Sequence, residues 1–296
     1  MEIIADVTGK RIDIYLMEKL DISRSHIQNL IKKNLILVGG KKVKGSYKIK
    51  EGDIISVTDE EETYEIVPEN ISLDIIYEDD DVIVVNKPNG MVVHPAAGNK
   101  SGTLVNALMY HSKDLSDING EFRPGIVHRI DAYTTGLLMI AKNNKAHENL
   151  AKQLEEKSIT RKYIALVWGV IEEDTGTIDA PIGRDEKNRK KQAVTSLNSK
   201  KAITHFKVLQ RYKDASLIEL KLETGRTHQI RVHMNYIEHQ VVNDPVYGRR
   251  KTINDFGQCL HAKTLGFVHP TTGKYMEFES DLPEEFKLII KMFEEN

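Results

Sequence analysis

The chain has a single cysteine, Cys259. That excludes an internal disulfide and makes a cysteine-built metal cage implausible. Beside Leu260, it reads as a small buried hydrophobe. No apolar run approaches the roughly 18 residues needed to cross a bilayer. The opening Met1-Glu2-Ile3-Ile4-Ala5-Asp6 has neither a basic region nor an apolar stretch, so no secretion signal is expected. These absences together predict a cytoplasmic protein with no membrane partner. There is no G-x-S-x-G elbow for a serine hydrolase, no glycine-rich phosphate loop of the P-loop or dinucleotide type, and no internal repeat.

Lysine and arginine are also missing from residues 51–81, which hold 13 acidic residues. Residues 1–50 hold 11 basic against 5 acidic residues, and residues 82–296 hold 31 against 26. The overall charge of −2 therefore hides two basic regions separated by an acidic belt. The basic N-terminal block is the first place to look for phosphate contacts.

Ile12, Leu16 and Leu20 recur at spacings of four, which predicts a helix. Ser23 reads as the N-cap of a second helix with Ile27, Leu30 and Ile31 as its apolar stripe. The polar face of that helix carries Arg24, His26, Gln28, Lys32 and Lys33. A tight turn at Gly39-Gly40 joins strands at 35–38 and 41–43, and Gly52-Asp53 precedes a strand at 54–57. This segment resembles the S4 RNA-binding module through Arg11-Ile12-Asp13, Ser23-Arg24-Ser25, Val38-Gly39-Gly40-Lys41 and Gly52-Asp53-Ile54-Ile55. The resemblance implies an RNA grip by helix ends and basic side chains: Arg11, Ser23, Arg24, Lys32, Lys33, Lys41 and Lys42.

The expected organisation is an S4-like domain at 1–60, an extended acidic linker at 61–72, and a larger domain at 73–296. The larger domain predicts strands at 82–85, 163–167, 202–209, 216–222 and 277–279. Helices are expected near 104–110, 145–156, 228–238 and 283–293. Strands and helices mix without a regular repeat, which predicts an α+β (mixed α/β) fold.

Three clusters stand out: all carry Arg and Gly, and the first and third add Thr, His and an acid. The first runs from Arg123 through His128-Arg129-Ile130-Asp131 to Thr134-Thr135-Gly136. The second is Arg161-Lys162-Tyr163-Ile164-Ala165-Leu166-Val167-Trp168-Gly169. The third is Glu223-Thr224-Gly225-Arg226-Thr227-His228-Gln229-Ile230-Arg231-Val232-His233. The two histidines of the third cluster are five apart, off a common helical face, with Arg231 between them. Metal binding is therefore disfavoured against hydrogen-bonded structural histidines. Asp131 and Glu223 are the acids of these clusters, and nothing in the sequence sets their separation, which a glycosidase pair would require.

Together with Val85-Asn86-Lys87-Pro88-Asn89-Gly90-Met91-Val92-Val93-His94-Pro95, Leu260-His261-Ala262 and Phe267-Val268-His269-Pro270, these clusters resemble the RluA/RluD family of RNA pseudouridine synthases. With the S4 module ahead, the arrangement is similar to the members that act on large-subunit rRNA. The resemblance implies a mainly antiparallel, mixed central sheet with flanking helices, and a site without metal or cofactor. It places the catalytic aspartate on Asp131, a catalytic tyrosine on Tyr163 and the pairing arginine on Arg231. It implies base extrusion for Arg129, an apolar contact to the base for Leu260, and substrate contacts for Gly225, Arg226, Thr227, His228 and Gln229. Ala132-Tyr133 replaces a basic-acidic pair of the family. Those side chains are expected beside the motif, with activity retained. Asn243-Asp244-Pro245 replaces Gly-Asp-Pro, expected as a minor turn change.

Isomerising uridine breaks N1–C1′, turns the base and joins C5 to C1′. Asp131 can attack C1′ or remove the C2′ proton, and the sequence leaves both routes open. Arg231 is expected to pair with the carboxylate. Tyr163 offers a face to stack on uracil and a hydroxyl to handle the C5 proton. Residues 184–213, with 10 basic against 2 acidic, form a second expected RNA surface. The expected partner is RNA, large-subunit rRNA or an assembly intermediate, bound by a monomer. The competing readings are a synthase acting on tRNA and a non-catalytic ribosome-assembly factor.

Overall fold

The computed structural model describes residues 1–20, 22, 24–58, 66–96, 98–120, 123–188 and 191–295, without the side chains of Ser25 and His26. Ser23, the expected N-cap and RNA contact, lies outside the described residues, as do residues 59–60 and residues 61–65 of the expected linker. The chain divides into two compact units, Met1–Tyr64 and Glu65–Asn296. Among the described residues, no helix is long and apolar enough to cross a membrane.

The first unit runs β1 (Glu2–Ile4), α1 (Ile12–Leu20), α2 (Arg24–Lys32), β2 (Ile36–Val38), β3 (Lys41–Lys42) and β4 (Ile54–Val57). Its strands form an antiparallel sheet in the order β1-β4-β2-β3. Ile12 and Leu16 of α1 and Ile27, Leu30 and Ile31 of α2 are buried with Ile36, Ile49 and Ile55. The i, i+4 spacing thus supplies the stripe that covers the sheet. Strand β1 is too short and too charged at Glu2 to stand out in the sequence; it exists through its pairing with β4.

The second unit begins with β5 (Asp74–Glu78), β6 (Val82–Lys87), α3 (Leu104–His111), β7 (Thr135–Ala141), α4 (Asn144–Glu155) and β8 (Thr160–Trp168). It continues with β9 (Thr175–Asp179), β10 (Ile182–Arg184), β11 (Gln192–Val194), β12 (Ile203–Arg211) and β13 (Ala215–Leu222). It ends with α5 (Gln229–Tyr236), β14 (Leu260–Val268), β15 (Tyr275–Glu279) and α6 (Glu284–Glu294). Nine strands form one mixed sheet in the order β5-β6-β7-β14-β8-β13-β12-β9, with β15 also paired to β14. Among the described residues only the β7–β14 pair is parallel, so the sheet is mainly antiparallel.

Helices cover both faces, which explains the continuous apolar runs. In β6, Ile83 and Val85 face the core shared with α3 and α5, while Val82 and Val84 face the core shared with α4. In β8, Tyr163, Ala165 and Val167 take the first face, while Ile164 and Leu166 pack toward α6. A strand buried on both sides has no polar alternation to show.

Residues 66–69, expected within an extended linker, instead join the second unit. Ile66 is buried in its core, the Asn106 side chain donates to Val67 O, and the Glu69 carboxylate accepts Gly102 N–H. Apolar burial and backbone pairing outweigh the segment's acidic character.

The halves of the large sheet meet where β14 changes partners. Its first residues pair with β7 (His261 with Thr135, Ala262 with Gly136), and Thr264 onward pairs with β15. Gly136 has φ +107°, and a Cβ there would stand 2.3 Å from Ala262 O. Only glycine permits that approach. The loop carrying Asp131 feeds directly into this junction.

Candidate active site

An open cavity of about 610 Å³ lies on the α3/α5 side of the second unit's sheet. It is lined by residues 126–131, by Arg161 and Tyr163 of β8, by residues 222–231, and by Leu260 at the start of β14. Asp131, Tyr163 and Arg231, far apart in sequence, therefore meet in one place.

The Arg231 side chain is only 4% exposed, and its guanidinium is divided between two acids. Nη1 donates to Asp131 Oδ2 at 2.9 Å. Nε and Nη2 donate to Asp244 Oδ2 and Oδ1 at 2.7 and 2.8 Å. Burial opposes the arginine's charge, but Asp244 and Asp131 more than restore it. Asp244 Oδ1 also accepts the backbone N–H groups of Val246 and Tyr247. Burial raises the Asp244 carboxyl, yet Arg231 holds it below the usual carboxylate range. A bidentate pair of this kind fixes the arginine in angle as well as position. Asp244 is thus the second anchor of the site, a role that sequence reasoning missed.

Asp131 Oδ1 faces His228 Nε2 at 3.9 Å. His228 Nδ1 lies 2.9 Å from the Tyr247 hydroxyl, which also accepts Gln192 N–H at 2.9 Å. With that N–H donating to it, the Tyr247 hydroxyl sends its own hydrogen to Nδ1, which leaves the His228 proton on Nε2, toward Asp131. Burial depresses the imidazolium and keeps the ring neutral. His228 sits at φ +57° just before α5, a left-handed geometry that turns it back into the cavity.

Tyr163 is buried against the core and lines the cavity; burial pushes its phenol up, so it stays protonated. Arg129 is exposed at the rim, donating to Thr227 Oγ1 at 3.1 Å and lying 3.4 Å from His94 Nε2. Leu260 is buried at the cavity wall. Arg226 donates to Lys201 O. Gln229 differs from expectation: Oε1 accepts Thr224 Oγ1 and Arg226 N–H, and Nε2 donates to Ile203 O and Thr204 Oγ1. Its amide is spent on holding the turn, so it shapes the cavity wall rather than offering a free donor.

Lys87 is 1% exposed and donates to Pro88 O, Met91 O and Ala132 O. Burial pushes its ammonium down to about 7, although three carbonyl partners call for the three N–H groups of the charged form. Lys87 thereby ties the residue after Asp131 to the end of β6. Tyr133 is 44% exposed, packs over Gly257 and lies off the cavity lining, in line with the expectation for Ala132-Tyr133. Asn243 is more than a minor turn change. It adopts φ +62°, and its amide donates to Gly257 O and accepts Ile253 N–H.

His233 is fully buried and spends its nitrogens on Thr204 Oγ1 and Ala180 O. Among the described residues, Asp79, Asp81 and His269 bring ligand atoms within 4.8 Å of one another. His269 Nδ1 accepts two backbone N–H groups, leaving Nε2–H to donate to Asp79. That is the tautomer of a hydrogen-bonded network rather than of a metal ligand.

In the first unit, Arg11 and Arg24 both donate to buried Asp13, with Gln28. Hydrogen bonds from Arg11, then Arg24, hold that carboxyl well below its usual range against burial. Lys32, Lys33, Lys41 and Lys42 are exposed.

Residues 81–236 match the family of RNA pseudouridylate synthases, and residues 10–55 match the S4 domain. The uncharacterized RNA pseudouridine synthase YlyB of Bacillus subtilis is 55% identical over 97% of this chain and 95% of its own. The ribosomal large subunit pseudouridine synthase D of Pseudomonas aeruginosa is 40% identical over 100% of this chain and 95% of its own. Among solved structures, human RNA pseudouridylate synthase domain containing 1 superposes with a TM-score of 0.59 at 25% identity, over 80% of this chain and 98% of its own.

Proposed function

We propose, on the premise that follows from these matches (this chain belongs to the RNA pseudouridylate synthase family), that it isomerises uridines of large-subunit ribosomal RNA with Asp131 as the catalytic carboxylate. The observation that carries the site assignment is the Asp131–Arg231–Asp244 array facing a cavity that also holds Tyr163. The large-subunit target is supported by relatives named for it that match nearly the whole chain.

The target uridine leaves its stack to enter the cavity, at a cost of roughly a few kcal/mol. Arg129, at the rim beside Thr227, fills the vacated space or grips flanking phosphate. Arg231 fixes one Asp131 oxygen, and Oδ1 is left to act on C1′ or the C2′ proton. Tyr163 stacks on the base, and Leu260 closes the wall. The first unit and residues 184–213 hold surrounding RNA by charge, and two linked sites raise effective affinity. The chain works as a cytoplasmic monomer and needs no cofactor, because the isomerisation is redox-neutral and transfers no group to another molecule.

The test is tritium release from large-subunit rRNA labelled as [5-³H]uridine. Wild type releases tritium and Asp131→Asn does not, although it stays folded. A wild type inactive on every rRNA and tRNA would leave a non-catalytic binding factor as the better reading, and release from tRNA alone would move the target. Full release by Asp131→Asn would remove Asp131 from its role.

A further inference from the structure

Arg161 stands two residues before Tyr163 on β8, so both side chains project to the same side of the sheet. Arg161 is 8% exposed and lines the cavity with Asp131 and Tyr163. Its Nη1 packs against Gly225, where a Cβ would lie 3.0 Å from that nitrogen. Its Nε is buried without a hydrogen-bond partner, and among the described residues it makes no ion pair. Glu223, the acid of the neighbouring turn, is committed to Lys157 and His205. The contrast with Arg231, saturated by two carboxylates, is sharp. Buried cations are normally paired, and an unmet buried group in a native site points to a missing partner.

Uridine brings a neutral base into the cavity, but the reaction makes an anion there. When N1–C1′ breaks, its electron pair leaves with the base, and the charge spreads over N1, O2 and O4. This holds on either route. Asp131 bonds to C1′ and is later displaced by C5, or it takes the C2′ proton and returns it. In both, C5 loses a proton, N1 gains one, and no electrons are gained or lost overall.

We propose that Arg161 binds the detached uracil anion through its carbonyl oxygens between cleavage of N1–C1′ and formation of C5–C1′. The inference rests on the reading of this cavity as a uridine-isomerising site. Tyr163, on the same strand face, gives the base its stacking surface, and Arg161 supplies a fixed positive charge whose attraction to the base strengthens as the bond breaks. Such a contact raises the rate of the chemical step more than the affinity for substrate.

The test compares Arg161→Met, Arg161→Lys and Arg161→Ala in single-turnover isomerisation of an rRNA transcript, with RNA binding measured separately. Arg161→Met is expected to slow the chemical step about 100- to 1000-fold while RNA Kd stays within about twofold. Arg161→Lys should regain part of the rate. Millimolar guanidinium, but not urea, should partly rescue Arg161→Ala. Weakened RNA binding with an intact single-turnover rate would overturn the proposal in favour of a phosphate contact. An active wild type matched by Arg161→Met would also overturn it, as would rescue by urea as effective as by guanidinium. If Arg161→Met fails to fold, Arg161→Gln carries the same comparison. An inactive wild type counts against the parent reading instead.

Discussion

Asp131 gives one carboxylate oxygen to Arg231, and the geometry of that bond is set by Asp244, which is not among the residues lining the cavity. Asp244→Ala leaves Arg231 buried with half its partners. Breaking one side of a buried pair costs about 3 kcal/mol or more, which urea unfolding will read. Asp244→Asn keeps the volume but loosens the fork, and kcat should fall about 100-fold through misplacement of Asp131. Unchanged kcat in the folded Asn variant would show that Arg231 is oriented by other means. At this scale, motifs located Asp131, Tyr163 and Arg231, because each sits in a recognisable run. They did not disclose Asp244, Lys87 or the unmet Arg161, since those roles are pairings between distant segments. Gln229 misled for the opposite reason: its motif position implied a ligand contact, but its amide was needed inside the turn.

At the scale of elements, the parallel contact of β7 with β14 joins the sheet halves beneath the Asp131 loop. Gly136→Ala puts a Cβ into Ala262 O at a positive φ. The expected loss is at least about 3 kcal/mol, or failure to fold. His261 locks the same junction, with Nδ1 on Thr135 Oγ1 and Nε2 on Ser280 Oγ. Burial pushes its imidazolium down to about 4, below the unfolded value near 6.5. The unfolded chain therefore binds that proton first. The stability contributed by the neutral ring is complete above pH 6.5 and declines as pH falls toward 4, by about 3 kcal/mol. Urea melts should show this slope, and His261→Gln should flatten it; parallel slopes would contradict the assignment. Helices α1 and α2 were legible from their periodicity, and α3, α4, α5 and α6 lie where helices were expected. The β7–β14 pairing was not legible, because nothing local in either segment names its partner.

For the whole molecule, the charge segregation was plain in the sequence, and two compact units follow it. The units divide between Tyr64 and Glu65, inside the acidic segment, and composition does not show where that segment passes into the second unit. Ile66 and Glu69 are held by contacts with residues of the second unit that composition does not foretell. If the basic face of the first unit grips phosphates, Lys32→Glu, Lys41→Glu and Lys42→Glu together should weaken rRNA binding. The same variant should flatten the log-log salt dependence by roughly 2 units; an unchanged slope would place those lysines off the RNA. The most direct measurement of the central claim is a pseudouridine map of large-subunit rRNA from cells lacking this chain, complemented with wild type or with Asp131→Asn. The account predicts that one or more pseudouridines disappear in the deletion, return with wild type and stay absent with Asp131→Asn. A map unchanged by the deletion, or restored by Asp131→Asn, would contradict it.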